Sequence, residues 1–247
     1  TIDNDIASSD YTVGFDTAVN TVMDMVDKLR DTSQSHDRCS IVEVMGRRCG
    51  DIALHAGIAC GAVAILVPEV PFSIDSIIEK MQRTLRTGKK HFIIIVAEGV
   101  TSVGGVGTVH DIAEEIEART GVESRATVLG HVQRGGAPSA RERVLASEMG
   151  YHAVELLEQG IGNRVVVNHD NKIVDYDILE ALQMKKQFDL WHEADEYQKI
   201  VDAVLAIDEK ERDYEAVSQL ARAYNNLGRY QKAAVQLLSI QEEGKND

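Results

Sequence analysis

Thr1-Ile2-Asp3-Asn4-Asp5 opens the chain with two carboxylates separated by one amide residue, beside a hydroxyl. A carboxylate can take up a proton or hold a hard cation such as Mg2+. Two cationic segments lie downstream, Met45-Gly46-Arg47-Arg48 and His131-Val132-Gln133-Arg134-Gly135-Gly136. Arginine offers a planar fork of donors that matches phosphate oxygens, and paired glycines let backbone come close to a ligand. Acids facing phosphate-holding cations are the parts that phosphoryl transfer to a phosphorylated sugar requires. In an extended segment residues two apart point to the same side, so Asp3 and Asp5 can share one site. One would act as base while the other holds the metal or orients the first, and Thr1 can donate to a transferring phosphoryl oxygen. Taken alone, an Asp-Asn-Asp string also fits a surface turn. It is not a calcium-binding helix-loop-helix, because the later ligands and the glycine of that loop are missing.

The elements that must position these groups alternate between β-branched runs and helical periodicity. Strands are expected at Cys39–Val44, Val63–Val67, Phe92–Glu98, Arg125–Leu129 and Arg164–Asn168. Helices are expected near Asp10–Leu29, Cys49–Cys60, Ser73–Leu85, Val109–Ala118 and Ser139–Glu158. Such alternation predicts βαβ units and an α/β fold with a mainly parallel sheet and flanking helices. Ligands in these sheets collect at the carboxyl ends of the strands. Met45-Gly46-Arg47 follows one strand, Glu98 ends a second and His131 lies just past a third. Arg38 directly precedes the first of these strands and Arg125 opens the last.

The totals narrow the function classes. A length of 247 residues allows one large domain or two smaller ones. A net charge of −14 argues against a general nucleic-acid or anionic-membrane surface, while leaving room for a local basic pocket. No apolar run approaches the roughly 20 residues of a membrane-spanning helix, and no signal-peptide pattern opens the chain, so the expected location is cytosolic. Cys39, Cys49 and Cys60 have no metal-ligand spacing and read as reduced core thiols. The first residue is Thr rather than Met, which predicts a fragment or a processed product.

Near residue 188 the strand signals stop, and 190–243 reads as helix. Tyr197-Gln198-Lys199-Ile200-Val201-Asp202-Ala203-Val204-Leu205-Ala206-Ile207 recurs at Tyr230-Gln231-Lys232-Ala233-Ala234-Val235-Gln236-Leu237-Leu238-Ser239-Ile240, a period of 33 residues (230 − 197). The stretch from Leu220 to Tyr230 resembles the first helix and turn of a tetratricopeptide repeat, with Ala221, Tyr224, Gly228 and Ala234 near its small, aromatic and glycine positions and Trp191 in the place of Tyr224 in the first copy. Two ordinary amphipathic helices with chance similarity are the alternative. The expected division is therefore 1–188, a substrate-binding region, and 189–247, a helical tail that binds a protein partner or caps the first domain.

Six ordered blocks give the first region a resemblance to the 6-phosphofructokinases of bacterial type. They are Thr1-Ile2-Asp3-Asn4-Asp5, Gly14-Phe15-Asp16-Thr17-Ala18, Val44-Met45-Gly46-Arg47, Pro68-Glu69, Ala97-Glu98-Gly99 and Arg125-Ala126-Thr127-Val128-Leu129-Gly130-His131-Val132-Gln133-Arg134-Gly135-Gly136. The resemblance implies that Asp3 is the base for the 1-hydroxyl of fructose 6-phosphate. Thr1 and Arg47 would contact the transferring phosphoryl group, and Asp5 would support Mg2+ and the base. Met45, Gly46 and Glu98 would hold the sugar. His131 and Arg134 would bind the 6-phosphate, joined by Arg38 and Arg125 from a neighbouring subunit of a homotetramer. Arg30 and Lys89 match effector-phosphate positions of allosteric members, although Val63 and Thr87 depart from the residues usual there.

The resemblance also implies that the nucleotide-binding half of the family precedes residue 1. No Gly-x-x-x-x-Gly-Lys-Ser/Thr loop replaces it, and the expectation is a chain that is inactive alone. The expected donor is ATP, with pyrophosphate as the alternative, since the residue before Thr1 helps separate the two. A non-catalytic interaction protein built on a degenerate kinase lobe is the competing function.

Overall fold

The computed structural model describes residues 1–70, 72–103, 107–184, 197–207, 216–217, 219–220 and 223. The chain divides into two compact units, Thr1–Leu182 and Gln183–Asp247.

The first unit is α/β. After an irregular opening segment come α1 (Phe15–Ser35), β1 (Cys39–Val44), α2 (Asp51–Ala59), β2 (Ala64–Leu66), α3 (Ile74–Leu85), β3 (Phe92–Ala97), α4 (Glu98–Val103) and α5 (Val109–Thr120). Then follow β4 (Ser124–Val128), a 3-10 turn (Gly130–Arg134), α6 (Ala140–Glu158), β5 (Arg164–His169), β6 (Lys172–Asp177) and α7 (Ile178–Gln183). Four strands form one parallel sheet in the order β2-β3-β1-β4.

The sequence dictates this arrangement through burial. β3 reads Phe-Ile-Ile-Ile-Val-Ala, and every one of its residues is buried. A strand without polar alternation can sit only where both faces of the sheet are covered. The helices α1 and α2 pack on each other and on the strands, and α5 packs on β4, β1 and α3. The core joins Ile41, Val42 and Val44 of β1 and Ile93–Val96 of β3 to Val22 and Val26 of α1, Ile52 and Ala56 of α2, and Ile112 and Ile116 of α5.

Three expectations are corrected. The strand expected at Arg164–Asn168 forms, but outside the main sheet. It pairs antiparallel with β6 in a separate two-stranded sheet. The connecting residues Asp170 and Asn171 both have positive φ, 49° and 56°, the geometry of a tight hairpin turn that Asp and Asn tolerate best. The first helix, expected near Asp10–Leu29, begins at Phe15 and runs on to Ser35, which places Arg30 inside it. Glu98 is the first residue of α4, not the last of a strand.

In the second unit, α8 (Tyr197–Leu205) coincides with the first copy of the internal repeat, and Val201 and Val204 are buried. The second copy, Tyr230–Ile240, lies outside the described residues, as do Trp191, Ala221, Tyr224, Gly228 and Ala234.

Candidate active site

Register places the site. β1, β3 and β4 run parallel, with Val44 beside Ala97 and Glu43 beside both Val96 and Val128. Their carboxyl ends therefore share one edge, and the segments Met45–Arg47, Glu98 and Gly130–Arg134 leave the sheet side by side.

Hydrogen bonds lock these segments to one another. Arg47 donates its backbone N–H to Glu98 Oε1 at 2.6 Å, and Gly46 donates to the same oxygen at 3.3 Å. The Met45 N–H reaches Gln133 Oε1 at 3.2 Å, and Gln133 Nε2 donates to the Gly130 carbonyl at 3.0 Å. Gln133 is 1% exposed. Its amide fixes the turn that carries His131 and Arg134 against the Met45 loop, leaving those two cationic side chains exposed. Two glycines make the junctions possible. Gly46 has φ 151° and leaves no room for a Cβ beside the Cys49 carbonyl. A Cβ on Gly99 would lie 2.6 Å from the Arg47 carbonyl, so any larger residue would push Glu98 away from the Arg47 N–H.

The opening acids meet this edge. The carboxyl of Asp3 is pushed above its ordinary value of 3.8, first by burial and then by the nearby charges of Asp5 and Glu98. The Thr1 hydroxyl and the Arg47 guanidinium oppose that rise. Residues 3, 47 and 98, distant in sequence, thus feel one another directly. The Thr1 hydroxyl lies 2.8 Å from Asp5 Oδ1 and 3.4 Å from Asp3 Oδ2, and it accepts from the Asp3 N–H at 3.2 Å. Asp3 is 5% exposed, and its Oδ1 has no hydrogen-bond partner among the described residues. A buried carboxylate oxygen without a donor is costly unless a proton or ligand comes to it. The acid segment is not extended as expected. Asn4 sits at φ 55°, and the two carboxylates converge through Thr1 instead of through strand alternation.

Other sequence-identified residues lie elsewhere in the chain. Arg38 and Arg125 stand at the amino ends of β1 and β4, roughly 20 Å of strand from the Met45 edge. Glu123 pairs with both, at 2.8 Å to Arg38 Nε and 2.6 Å to Arg125 Nη2. They do not reach the Met45 edge. Arg30 is bound to Asp27 at 3.7 Å and to the Cys60 carbonyl, and Lys89 is exposed. No group of three or more His, Cys, Asp or Glu that could hold a metal occurs among the described residues.

Sequence reading assigned no role to Gln133, Asn4 or Glu43. Burial, and then the charge of Glu98, push the Glu43 carboxyl upward, while the Thr101 hydroxyl and His110 pull it down. Glu43 also lines a cleft of about 590 Å³ with Thr101, Thr108, Val109, His110 and Val128, none of them given a role from sequence. Glu43 had no local signal, since one acid within a β-branched strand reads as a solvated position.

Known proteins resemble this chain in sequence and in fold. The sequence profile of the family described as "Phosphofructokinase" matches residues 1–157. The chain is 58% identical over 189 residues to an ATP-dependent 6-phosphofructokinase of Clostridium tetani, covering 76% of this chain and 57% of that protein. It is 55% identical over 190 residues to one of Bacillus cytotoxicus, covering 77% and 58%. It therefore spans little more than half the length of these relatives. Among solved structures, phosphofructokinase from Saccharomyces cerevisiae superposes with a TM-score of 0.71 at 32% identity, over 91% of this chain and 30% of that one. A pyrophosphate-dependent phosphofructokinase from Marinobacter aquaeolei shares the fold, with a TM-score of 0.62 at 22% identity over 75% of this chain and 52% of the other. With more than half of its residues matched by the family profile, the chain belongs to the phosphofructokinase family.

Proposed function

We propose that residues 1–188 carry the sugar-phosphate site and the base of an ATP-dependent 6-phosphofructokinase, the enzyme that makes fructose 1,6-bisphosphate in glycolysis. The observation that carries this reading is the Asp3 carboxylate. It is buried and unpartnered at one oxygen, and it stands beside Asp5, Glu98 and Arg47. A base held away from water, with its carboxyl raised above the ordinary range, is a stronger proton acceptor once ionised.

Asp3 takes the proton from the 1-hydroxyl of fructose 6-phosphate as that oxygen bonds to the terminal phosphorus of the donor. The bond from that phosphorus to its bridging oxygen breaks, and the electron pair leaves with the nucleoside diphosphate. Arg47 and the Thr1 hydroxyl face the charge on the transferring group, which spreads over its outer oxygens. Met45, Gly46 and Glu98 position the sugar, and His131 and Arg134 hold its 6-phosphate.

Mg2+ commonly binds through one or two carboxylates together with substrate phosphates, and the Asp5 carboxylate beside Thr1 fits that role. Bound there, the ion would neutralise phosphate charge. The relatives at 55–58% identity are named ATP-dependent, which favours ATP over pyrophosphate as donor. Arg38 and Arg125 would complete the 6-phosphate site of a neighbouring copy in a cytosolic homotetramer, and Arg30 and Lys89 would serve an effector phosphate. The 189–247 tail, resembling a tetratricopeptide repeat, would serve a protein partner.

Thermal melting of the full chain with millimolar fructose 6-phosphate tests the reading. A rise in melting temperature that glucose 6-phosphate does not reproduce supports it. An equal shift with both sugars, or no shift in a folded sample, refutes it.

A further inference from the structure

We infer that Asn4 is a positioning residue that couples the base segment to the arginine loop, and this deepens the sugar-phosphate reading on which it rests. Asn4 stands between the two carboxylates and is 9% exposed. Its Oδ1 accepts from the Thr12 N–H at 3.0 Å. Its Nδ2 donates to Asp51 Oδ2 at 2.8 Å and points to the Asp10 carbonyl at 3.4 Å. Its own carbonyl faces Cys49 Sγ at 3.8 Å. Asp51 is the first residue of α2, the helix that follows the Met45–Gly50 loop. That loop is closed by the Cys49 N–H on the Gly46 carbonyl at 2.8 Å. One amide thus ties the strip bearing Asp3 and Asp5 to the far end of the loop that presents Arg47.

The chemistry of the position admits few side chains. With φ at 55°, the residue lies in the left-handed region, which Asn and Asp enter more readily than other non-glycine residues. The site also demands an acceptor toward Thr12 and a donor toward a carboxylate on one short branch. An amide supplies both, whereas a carboxylate supplies no donor and a hydroxyl is a single atom. The left-handed turn reverses the backbone between residues 3 and 5, so that both carboxylates meet the Thr1 hydroxyl. Loss of the clamp would free the base segment to rotate relative to Arg47 and Glu98, and misplacement on the order of 1 Å is felt strongly in a site built on positioning.

The test is a donor–acceptor exchange in the full chain, read by fructose 6-phosphate affinity in calorimetry and by exchange of the Thr12 amide. Asn4→Gly keeps the backbone angle and removes both bonds. Asn4→Asp keeps the Thr12 contact and sets two carboxylates against each other. Combining Asn4→Asp with Asp51→Asn restores the bond with donor and acceptor swapped. Both single variants are expected to bind the sugar phosphate about tenfold more weakly, and the exchanged pair to recover to within about threefold. Single variants that bind like the native chain, or an exchanged pair that fails to recover, would overturn the inference. If the native chain binds no sugar phosphate, the functional reading fails and amide exchange decides the clamp. Thr12 protection lost in Asn4→Gly but kept in Asn4→Asp and in the exchanged pair supports it, and protection unchanged throughout overturns it.

Discussion

Replacing Asp3 by Asn should make the protein more stable while removing the proposed base. The carboxyl of Asp3 is buried, one of its oxygens lacks a partner, and Asp5 and Glu98 repel its charged form. Leaving a buried polar atom unsatisfied costs about 1–3 kcal/mol. Asn has nearly the same shape and no charge, and its Nδ2 can donate toward Asp5, so a gain of about 1 kcal/mol at neutral pH is expected. For a chain of this length that corresponds to roughly 2–4 °C in melting temperature. The pH dependence gives the mechanism away. Because the folded carboxyl titrates above the ordinary 3.8, the native state binds the extra proton between those two values. Native stability therefore falls as pH rises through that window, and the deficit is complete above the folded titration point. The advantage of Asp3→Asn should be full at pH 7, shrink as pH falls through the window, and vanish below about 3.8. Scanning calorimetry of both proteins from pH 7 down to the acid limit reads this directly. A variant less stable than native at pH 7, or a gain independent of pH, would refute the reasoning. Fructose 6-phosphate should still bind the variant, because proton abstraction plays no part in binding.

Glu98→Ala removes the acceptor shared by the Gly46 and Arg47 N–H groups. Sugar-phosphate affinity should drop by at least tenfold, and amide exchange at Arg47 should rise; titration calorimetry and hydrogen exchange check both. Burial pushes the Cys39 thiol up to about 12, so at pH 8 it stays protonated and should resist iodoacetamide in the folded chain, reacting only after denaturation, as mass spectrometry would show. Ile94→Ala opens a cavity in the fully buried central strand and should destabilise by about 2–5 kcal/mol in chemical denaturation. Arg125→Ala should weaken sugar-phosphate binding only in self-associated samples, a difference that calorimetry across a dilution series would expose.

Much of the architecture was legible from one-dimensional patterns. The unbroken apolar run at Phe92–Ala97 has the length and composition of a strand covered on both faces, and β1 was read to the residue as Cys39–Val44, between Arg38 and the turn at Met45-Gly46-Arg47. The hairpin partner of Arg164–His169 escaped notice because Lys172–Asp177 mixes charges into its alternation and lies at the surface, where periodicity is weak. Glu98 could be placed near the edge, but its role as acceptor for two backbone N–H groups depends on a helix that turns at Gly99 against the Arg47 carbonyl. Gln133 sat inside a recognised block without a role, because a buried amide is indistinguishable in sequence from an exposed one.

The sequence by itself determined the parallel α/β layout, the strand-end edge expected to take ligands and the identities of the acids and cations there. Those follow from local periodicity and from the rule that parallel strands end together. Only the tertiary structure decided that Thr1, through a left-handed turn at Asn4, gathers both carboxylates, that Asp3 is buried beside Glu98 and Arg47, and that Arg38 and Arg125 stand at the opposite end of the sheet. Burial and charge proximity are properties of three-dimensional neighbours, and residues 3, 47 and 98 become neighbours only when three separate segments are brought to one sheet edge.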